Sequence, residues 1–376
     1  MAEAVKSAGL RNVVAGESAI CVIDGARGIL SYRGIDIHDL ARHSSFEEVV
    51  FLLHRGALPN RAELDSFRRE LARERRIPDA LLSVLRALPR DAHPMTALRT
   101  AISALGGLDP DGDDESEPAR LRKAVRLTSQ LATVVAAIDR MRGGRSPVGA
   151  DMQLSHAANF LFMLSGERPS DTAARAMDVA LVLHADHEFN ASTFAARVAA
   201  STLADLHGAI TAALATLKGP LHGGANEAVM KTLEEVGRPE RAAAWVGEAL
   251  AAKRKVMGFG HAVYRTEDPR AEHLRQLSRQ IADERRDRRW FDITEAIEAA
   301  VRSQRGLYPN VDLYSASLYR SLGIPTDLFT PVFAVSRVAG WTAHVLEQLA
   351  NNKLIRPESD YIGPRDVRYV PIEHRG

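Results

Sequence analysis

Cysteine is almost missing from this 376-residue chain, in which Cys21 stands alone. A single thiol cannot close an intrachain disulfide or supply a multi-thiolate metal site, which predicts a reducing, cytoplasmic compartment. Excess charge is equally scarce: 49 Lys and Arg face 48 Asp and Glu and leave +1. No overall basic field exists to hold nucleic acid, so any anion has to be met by local arginines. Long apolar runs are also lacking, and the stretch from Met152 to Gly166 falls short of the roughly 18 residues a membrane helix needs. No membrane association is expected. The opening MAEAVKSAGLRNVV has none of the basic, apolar and small-residue zones of an export signal.

Aromatic residues are few, at 6%, while Ala, Leu, Arg and Glu dominate. Those residues lose little side-chain freedom in a helix, so composition predicts an all-α fold. Start signals agree, because Ser45 and Asn60 each stand three positions before a Glu that can reach back, at Glu48 and Glu63. The first of these helices is expected to stop near Gly56. One early segment reads as β: Ala19–Ile23 and Ile29–Tyr32 flank the turn pair Asp24-Gly25, which predicts a small hairpin. The acidic run Asp109–Glu115 has its Gly at position 4 rather than the position 6 of a calcium loop, and reads as a solvated connection. Thr330 and Pro331 suit a cap and first-turn pair for a last apolar helix carrying Val338, Trp341, Val345 and Leu349.

Several familiar sites are excluded. There is no GxxxxGK[ST], Gly258-Phe259-Gly260 lacks the third glycine of a dinucleotide loop, and no G-x-S-x-G elbow exists. His187-Glu188 opens like a zinc-protease helix without the second His; a His184/His187 pair at i, i+3 leaves a metal site as an alternative whose remaining ligands are not apparent. Three polar segments survive. His222 precedes Gly223-Gly224 and a helix, His261 follows Gly260 with Arg265 and Arg270 downstream, and Asp312 lies in the largely apolar run Pro309–Tyr314. Each alone has an ordinary structural explanation. Together they offer two histidines, a carboxylate whose partial burial would raise its pKa, and arginines that grip carboxylates bidentately, a set suited to proton abstraction beside a carbonyl.

At these residues the sequence resembles the citrate synthase family. LHGGANE, GFGHAVYRTEDPR and PNVD look like that family's three catalytic segments in order, and HADHEFNAST like its substrate-histidine segment. AVSRVAGWTAHVLEQ, IRPESDYIGP and the opening GLRNVVAGESAICVIDGARGILSYRGIDIHDLA extend the likeness over nearly the whole chain. The resemblance implies a two-domain helical homodimer: a large domain of residues 1–222 and 322–376, and a small one of 223–321 carrying the CoA-binding and catalytic segments. It implies condensation of acetyl-CoA with oxaloacetate, with Asp312 as base, His222 holding the thioester oxygen and His261 acting on the ketone. His187, Arg270 and Arg337 match oxaloacetate-binding positions, and Arg356 matches one contributed across the dimer interface. CoA is expected along Val256, Gly258 and Gly260, with Arg265, Arg305 and Asn310. No metal or redox cofactor is implied, since the CoA thioester is itself a substrate. The shorter chain looks like the branch without NADH regulation. Ala316 stands where many members have glycine. The alternatives are 2-methylcitrate synthesis from propionyl-CoA, a catalytically silent CoA-binding helical protein, and a zinc hydrolase on His184 and His187.

Overall fold

The computed structural model describes residues 8–10 and 13–376; part of the opening segment on which the export reading rests lies outside the described residues. Sixteen α-helices and one small sheet are found among the described residues. The sheet comprises β1 (Cys21–Asp24), β2 (Ile29–Tyr32) and β3 (Ile35–Asp36), antiparallel and in that order. Cys21 pairs with Tyr32 across the first ladder and Ser31 with Asp36 across the second. The sequence predicts only the first hairpin. The third strand is added by a two-residue turn, Arg33-Gly34, in which both residues have positive φ (49° and 83°). That conformation favours Asn or Gly in the first position, so Arg33 conceals the turn.

The helices follow as α1 (Ile37–His43), α2 (Phe46–Arg55), α3 (Arg61–Arg73), α4 (Asp79–Ala87), α5 (Pro94–Gly106), α6 (Glu117–Arg142), α7 (His156–Ser165), α8 (Asp171–His184), α9 (Ala191–Ser201), α10 (Leu206–Leu217), α11 (Ala225–Val236), α12 (Ala242–Ala251), α13 (Pro269–Arg285), α14 (Arg289–Arg305), α15 (Val311–Ser321) and α16 (Phe329–Ala350). Both expected capping boxes form. Glu48 and Glu63 accept the amides of Ser45 and Asn60 at 2.8 Å each, and Gly56 ends α2 with φ 86°. One expectation is corrected. Thr330 is not the cap of α16, which starts one residue earlier at Phe329; the Thr330 hydroxyl donates instead to the Gly223 carbonyl at 3.0 Å. The acidic run is the solvated inter-helix connection expected, with Pro110 and Gly112 to Asp114 exposed, and it is also tied to α6: Asp109 and Asp111 hold Arg126, and Lys123 donates to the Gly112 and Asp114 carbonyls. These cations come from the following helix, α6, which the loop's own composition does not reveal.

Helix α16 is buried all round from Phe329 to Val345, as a helix at the centre of a large core must be. It packs against α6, α8, α9, α10 and α2. Helices α11 to α15 pack chiefly on one another, with α13 also lying on α1 and α8, and α11 on α16. The line along which these two groups meet collects the polar segments singled out from sequence.

Candidate active site

Helix α8 ends at His184, and Glu188 takes φ 50°, so His187 leaves the helix axis. The i, i+3 pairing of His184 and His187 is therefore not realised. His184 is turned into the core, bonded through Nδ1 to the Ala180 carbonyl at 2.7 Å and packed on Phe333 and Tyr319. Among the described residues, no group of three or more His, Cys, Asp or Glu side chains has metal-holding spacing. Helix α16 crosses this turn at Gly340, where a Cβ would overlap the Ala185 carbonyl and the Asp186 carboxylate. Only glycine permits that approach. One turn earlier, Arg337 is 2% exposed, donates Nε–H to the His184 carbonyl at 2.7 Å and lies over the Phe333 ring.

The two buried arginines differ in their pairing. Arg270 holds Asp268 through two bonds of 2.9 and 2.8 Å, and Asp268 also accepts the Val311 amide. Arg337 has no carboxylate within ion-pair distance among the described residues, and burial pulls its pKa down to about 10. Asp186 offsets this charge in part from beyond ion-pair distance, and a buried guanidinium so loosely paired favours an anion beside it.

Two histidines face the buried arginines as neutral donors, His261 towards Arg270 and His222 towards Arg337. The amides of Val263 and Tyr264 donate into Nδ1 of His261 at 3.0 and 3.3 Å, which leaves the ring proton on Nε2. The Ser192 amide donates to Nε2 of His222 at 3.3 Å and the Ser192 hydroxyl lies 2.8 Å from the same atom, which leaves the proton on Nδ1. Trp341 fixes that hydroxyl, donating to it at 3.1 Å. Burial pushes both histidines down to about 4, helped by Arg270 at His261 and Arg337 at His222. His187 is likewise held well below its ordinary value by burial and Arg270. Its Nε2 lies 3.2 Å from the Tyr264 hydroxyl, and the His187 and His261 rings are 5.2 Å apart.

Asp312 is the second residue of α15, and its amide donates to the Asn310 side chain at 3.0 Å. Asn310 also gives its side-chain NH2 to the Gly260 carbonyl and its amide to the Gly258 carbonyl, 2.9 Å each. It thus ties the loop of His261 to the helix start of Asp312. Gly258 is required there: φ is 88° and a Cβ would sit 3.0 Å from Leu313 and Val229. Burial lifts the Asp312 pKa to about 6 against the pull of Arg270. The β1–β2 turn braces the same loop, since the Arg265 amide donates to the Gly25 carbonyl at 2.8 Å and a Cβ on Gly25 would overlap the Val263 carbonyl.

A cavity of about 270 Å³ opens beside His261, walled by Gly260, Tyr264, Arg265 and Tyr308. Arg265 is exposed at its rim, Val256 is buried behind the loop, and Arg305 is exposed at the end of α14, adjoining Gly306 of the wall. Arg356 lies exposed beyond α16, where the neighbouring Ile355 amide is held by Ser201 at 3.0 Å. Among the described residues, no hydrogen bond or ion pair joins Arg356 to the cleft. Ser192, Tyr264 and Asp268 were not singled out from sequence. Asp268 was legible as a cap before Pro269, whereas Ser192 and Tyr264 matter only through partners distant in the chain.

A carboxylate poised near pH 6, two neutral imidazole donors and two buried guanidinium groups make a site suited to enolising a carbonyl compound beside an anion. The family profile described as "Citrate synthase, C-terminal domain" matches residues 9–358. Citrate synthase 2 of Bacillus subtilis is 48% identical over 369 residues, spanning 98% of each chain. The 2-methylcitrate synthase of Shewanella oneidensis is 42% identical over 375 residues, covering 100% of this chain and 99% of its own. Among solved structures, citrate synthase from Pyrobaculum aerophilum superposes with a TM-score of 0.92 at 43% identity, over 98% of this chain and 95% of that one. A ternary complex of carboxymethyl coenzyme A and oxaloacetate with citrate synthase from Thermoplasma acidophilum superposes at 0.90 with 33% identity, over 98% of both. The chain belongs to the citrate synthase family.

Proposed function

We propose that this protein condenses acetyl-CoA with oxaloacetate and water to give citrate and CoA. The observation that carries the reading is the convergence of ionisable Asp312 with two neutral histidines on the buried guanidinium groups of Arg270 and Arg337. Asp312 takes a proton from the methyl carbon of acetyl-CoA, and Nδ1–H of His222 holds the thioester oxygen as the enolate forms. The enol carbon attacks the oxaloacetate ketone, whose oxygen receives the proton of Nε2–H on His261. Hydrolysis of the resulting thioester releases CoA. Arg337, Arg270 and His187 bind the oxaloacetate carboxylates, and neutral histidines suit the task because they donate without repelling those guanidinium groups. Val256 to Gly260 and Arg265 receive CoA, with Arg305 beside them, and Asn310 holds their loop in place. No metal or redox group enters this chemistry.

In this reading residues 223–321 form a small domain that closes on the rest and excludes water from the thioester. The protein works as a cytoplasmic homodimer in the citric acid cycle, with Arg356 of each copy completing its partner's oxaloacetate site. Relatives named for 2-methylcitrate synthesis define the second reading, which differs by one methylene, worth about 1–3 kcal/mol in an apolar pocket. CoA release with oxaloacetate, compared for acetyl-CoA and propionyl-CoA, tests both. A higher kcat/KM for acetyl-CoA is expected; a higher value for propionyl-CoA moves the assignment, and release with neither removes it.

A further inference from the structure

Helices α11 to α15 are joined to the rest of the fold by two connections, residues 218–224 before α11 and residues 322–328 after α15. The two meet, because α11 packs on the turn Thr326–Leu328 and on α16. His222 lies on the first of them. Its amide donates to the Gly219 carbonyl at 2.9 Å and the Gly223 amide to the Leu217 carbonyl at 3.0 Å, so backbone bonds hold the loop to the end of α10. A Cβ on Gly223 would overlap the Leu217 carbonyl, which shows how tightly the loop is seated there.

On the α11 side the loop is held by a side chain from beyond the second connection. Thr330, in the first turn of α16 and 2% exposed, donates to the Gly223 carbonyl at 3.0 Å. It shares the same hydroxyl proton with a carboxylate oxygen of Glu227, the third residue of α11. The other Glu227 oxygen faces Nε2 of His93 at 4.0 Å. His93 accepts the Met95 amide on Nδ1 at 3.1 Å, which leaves its ring proton on Nε2, the side of the carboxylate. The starts of α5, α11 and α16 thus converge on one carboxylate beside the loop of His222. A carbonyl and a carboxylate withdrawn from water each need a donor, and here a single hydroxyl serves both.

We propose that Thr330 and Glu227 are positioning residues that fix where His222 stands in the cleft. The hydroxyl pins the backbone immediately after the histidine, and the carboxylate ties that hydroxyl to the helix beginning three residues later. Ser192 decides which nitrogen of His222 carries the proton, whereas Thr330 decides where the ring is carried. The inference rests on the condensation proposed above, in which Nδ1–H of His222 holds the thioester oxygen. Misplacing such a donor by about 1 Å can cost roughly a hundredfold in rate. Oxaloacetate, assigned to Arg337, Arg270 and His187, is bound without help from this contact.

The test compares Thr330→Val, which removes the hydroxyl at nearly constant shape, with Thr330→Ser, which keeps it. In Thr330→Val, kcat for CoA release from acetyl-CoA and oxaloacetate is expected to fall about tenfold or more, with KM for oxaloacetate within about twofold. Thr330→Ser is expected to recover to within about threefold of the wild type. Hydrogen-exchange mass spectrometry reads the loop without turnover. Amides of residues 219–227 are expected to exchange about tenfold faster in Thr330→Val and at the wild-type rate in Thr330→Ser, while α8 and α9 keep their protection and so report an intact fold. A kcat within about twofold of the wild type in Thr330→Val, unchanged exchange over residues 219–227, or a serine variant that recovers neither quantity overturns the proposal. Faster exchange spread through α8 and α9, or a KM for oxaloacetate that rises as kcat falls, marks a packing role and overturns it equally. A wild-type protein that releases CoA from neither acyl-CoA overturns the condensation instead, and exchange over residues 219–227 then decides whether Thr330 holds the loop.

Discussion

Asp312 and the histidines around it titrate in separate ranges, and this fixes the pH behaviour of the site. As the proposed base, Asp312 must be ionised to act, and burial places its pKa near 6, whereas His222 and His261 are already neutral above about 4. Initial-rate measurements from pH 5 to 8 are therefore expected to show kcat/KM falling with a single limiting slope, about tenfold per unit, below pH 6. A midpoint near 4 would show that Asp312 is not the titrating base. Tyr264 is the second residue with a separable effect, because its hydroxyl touches His187 rather than the two proton donors. Tyr264→Phe is expected to raise KM for oxaloacetate several-fold with kcat within about twofold, the pattern of lost uniform binding. Sequence reading located His222, His261 and Asp312 but not the proton positions on the rings. Those depend on the Ser192, Val263 and Tyr264 amides, whose direction only the folded backbone defines.

Among the elements, α16 carries the greatest structural weight, since it supplies Arg337 and presses Gly340 against the turn that carries His187. Gly340→Ala forces these apart. Overpacking of this kind costs about 1–3 kcal/mol, so a lower Tm is expected together with a raised KM for oxaloacetate, because Arg337 and His187 lose their shared geometry. A lowered Tm with unchanged KM would separate packing from binding at this position. Element boundaries were legible where the signal is local: the Ser45 and Asn60 capping boxes each need only four residues. They were hidden where the determinant is remote or unusual. The ties of the exposed acidic loop to Lys123 and Arg126 depend on the packing of α6, and the third strand depends on an arginine adopting positive φ.

At the scale of the whole molecule, the helical class followed from composition, while the meeting of His187, His261 and Asp312 required the packing of α8, α15 and α16. The exposed position of Arg356 sets a further test. In the proposed dimer, co-expression of Asp312→Ala and Arg356→Ala subunits, each expected to be inactive alone, restores about a quarter of wild-type activity, since half the dimers are mixed and each has one intact site. No recovery, with each variant inactive alone, would show that Arg356 serves its own chain. The contact of the β1–β2 turn with the His261 loop has a practical consequence. Tight turns near the surface are usually the places to open a chain, insert a peptide or fuse a reporter. Residues 24–28 fit that description by position, yet Gly25 leaves no room for a Cβ against Val263 and receives the Arg265 amide. A circular permutant cut there, or a tag inserted there, would keep the helical core and lose the support of a proton donor, so engineered forms of this protein need their new ends elsewhere.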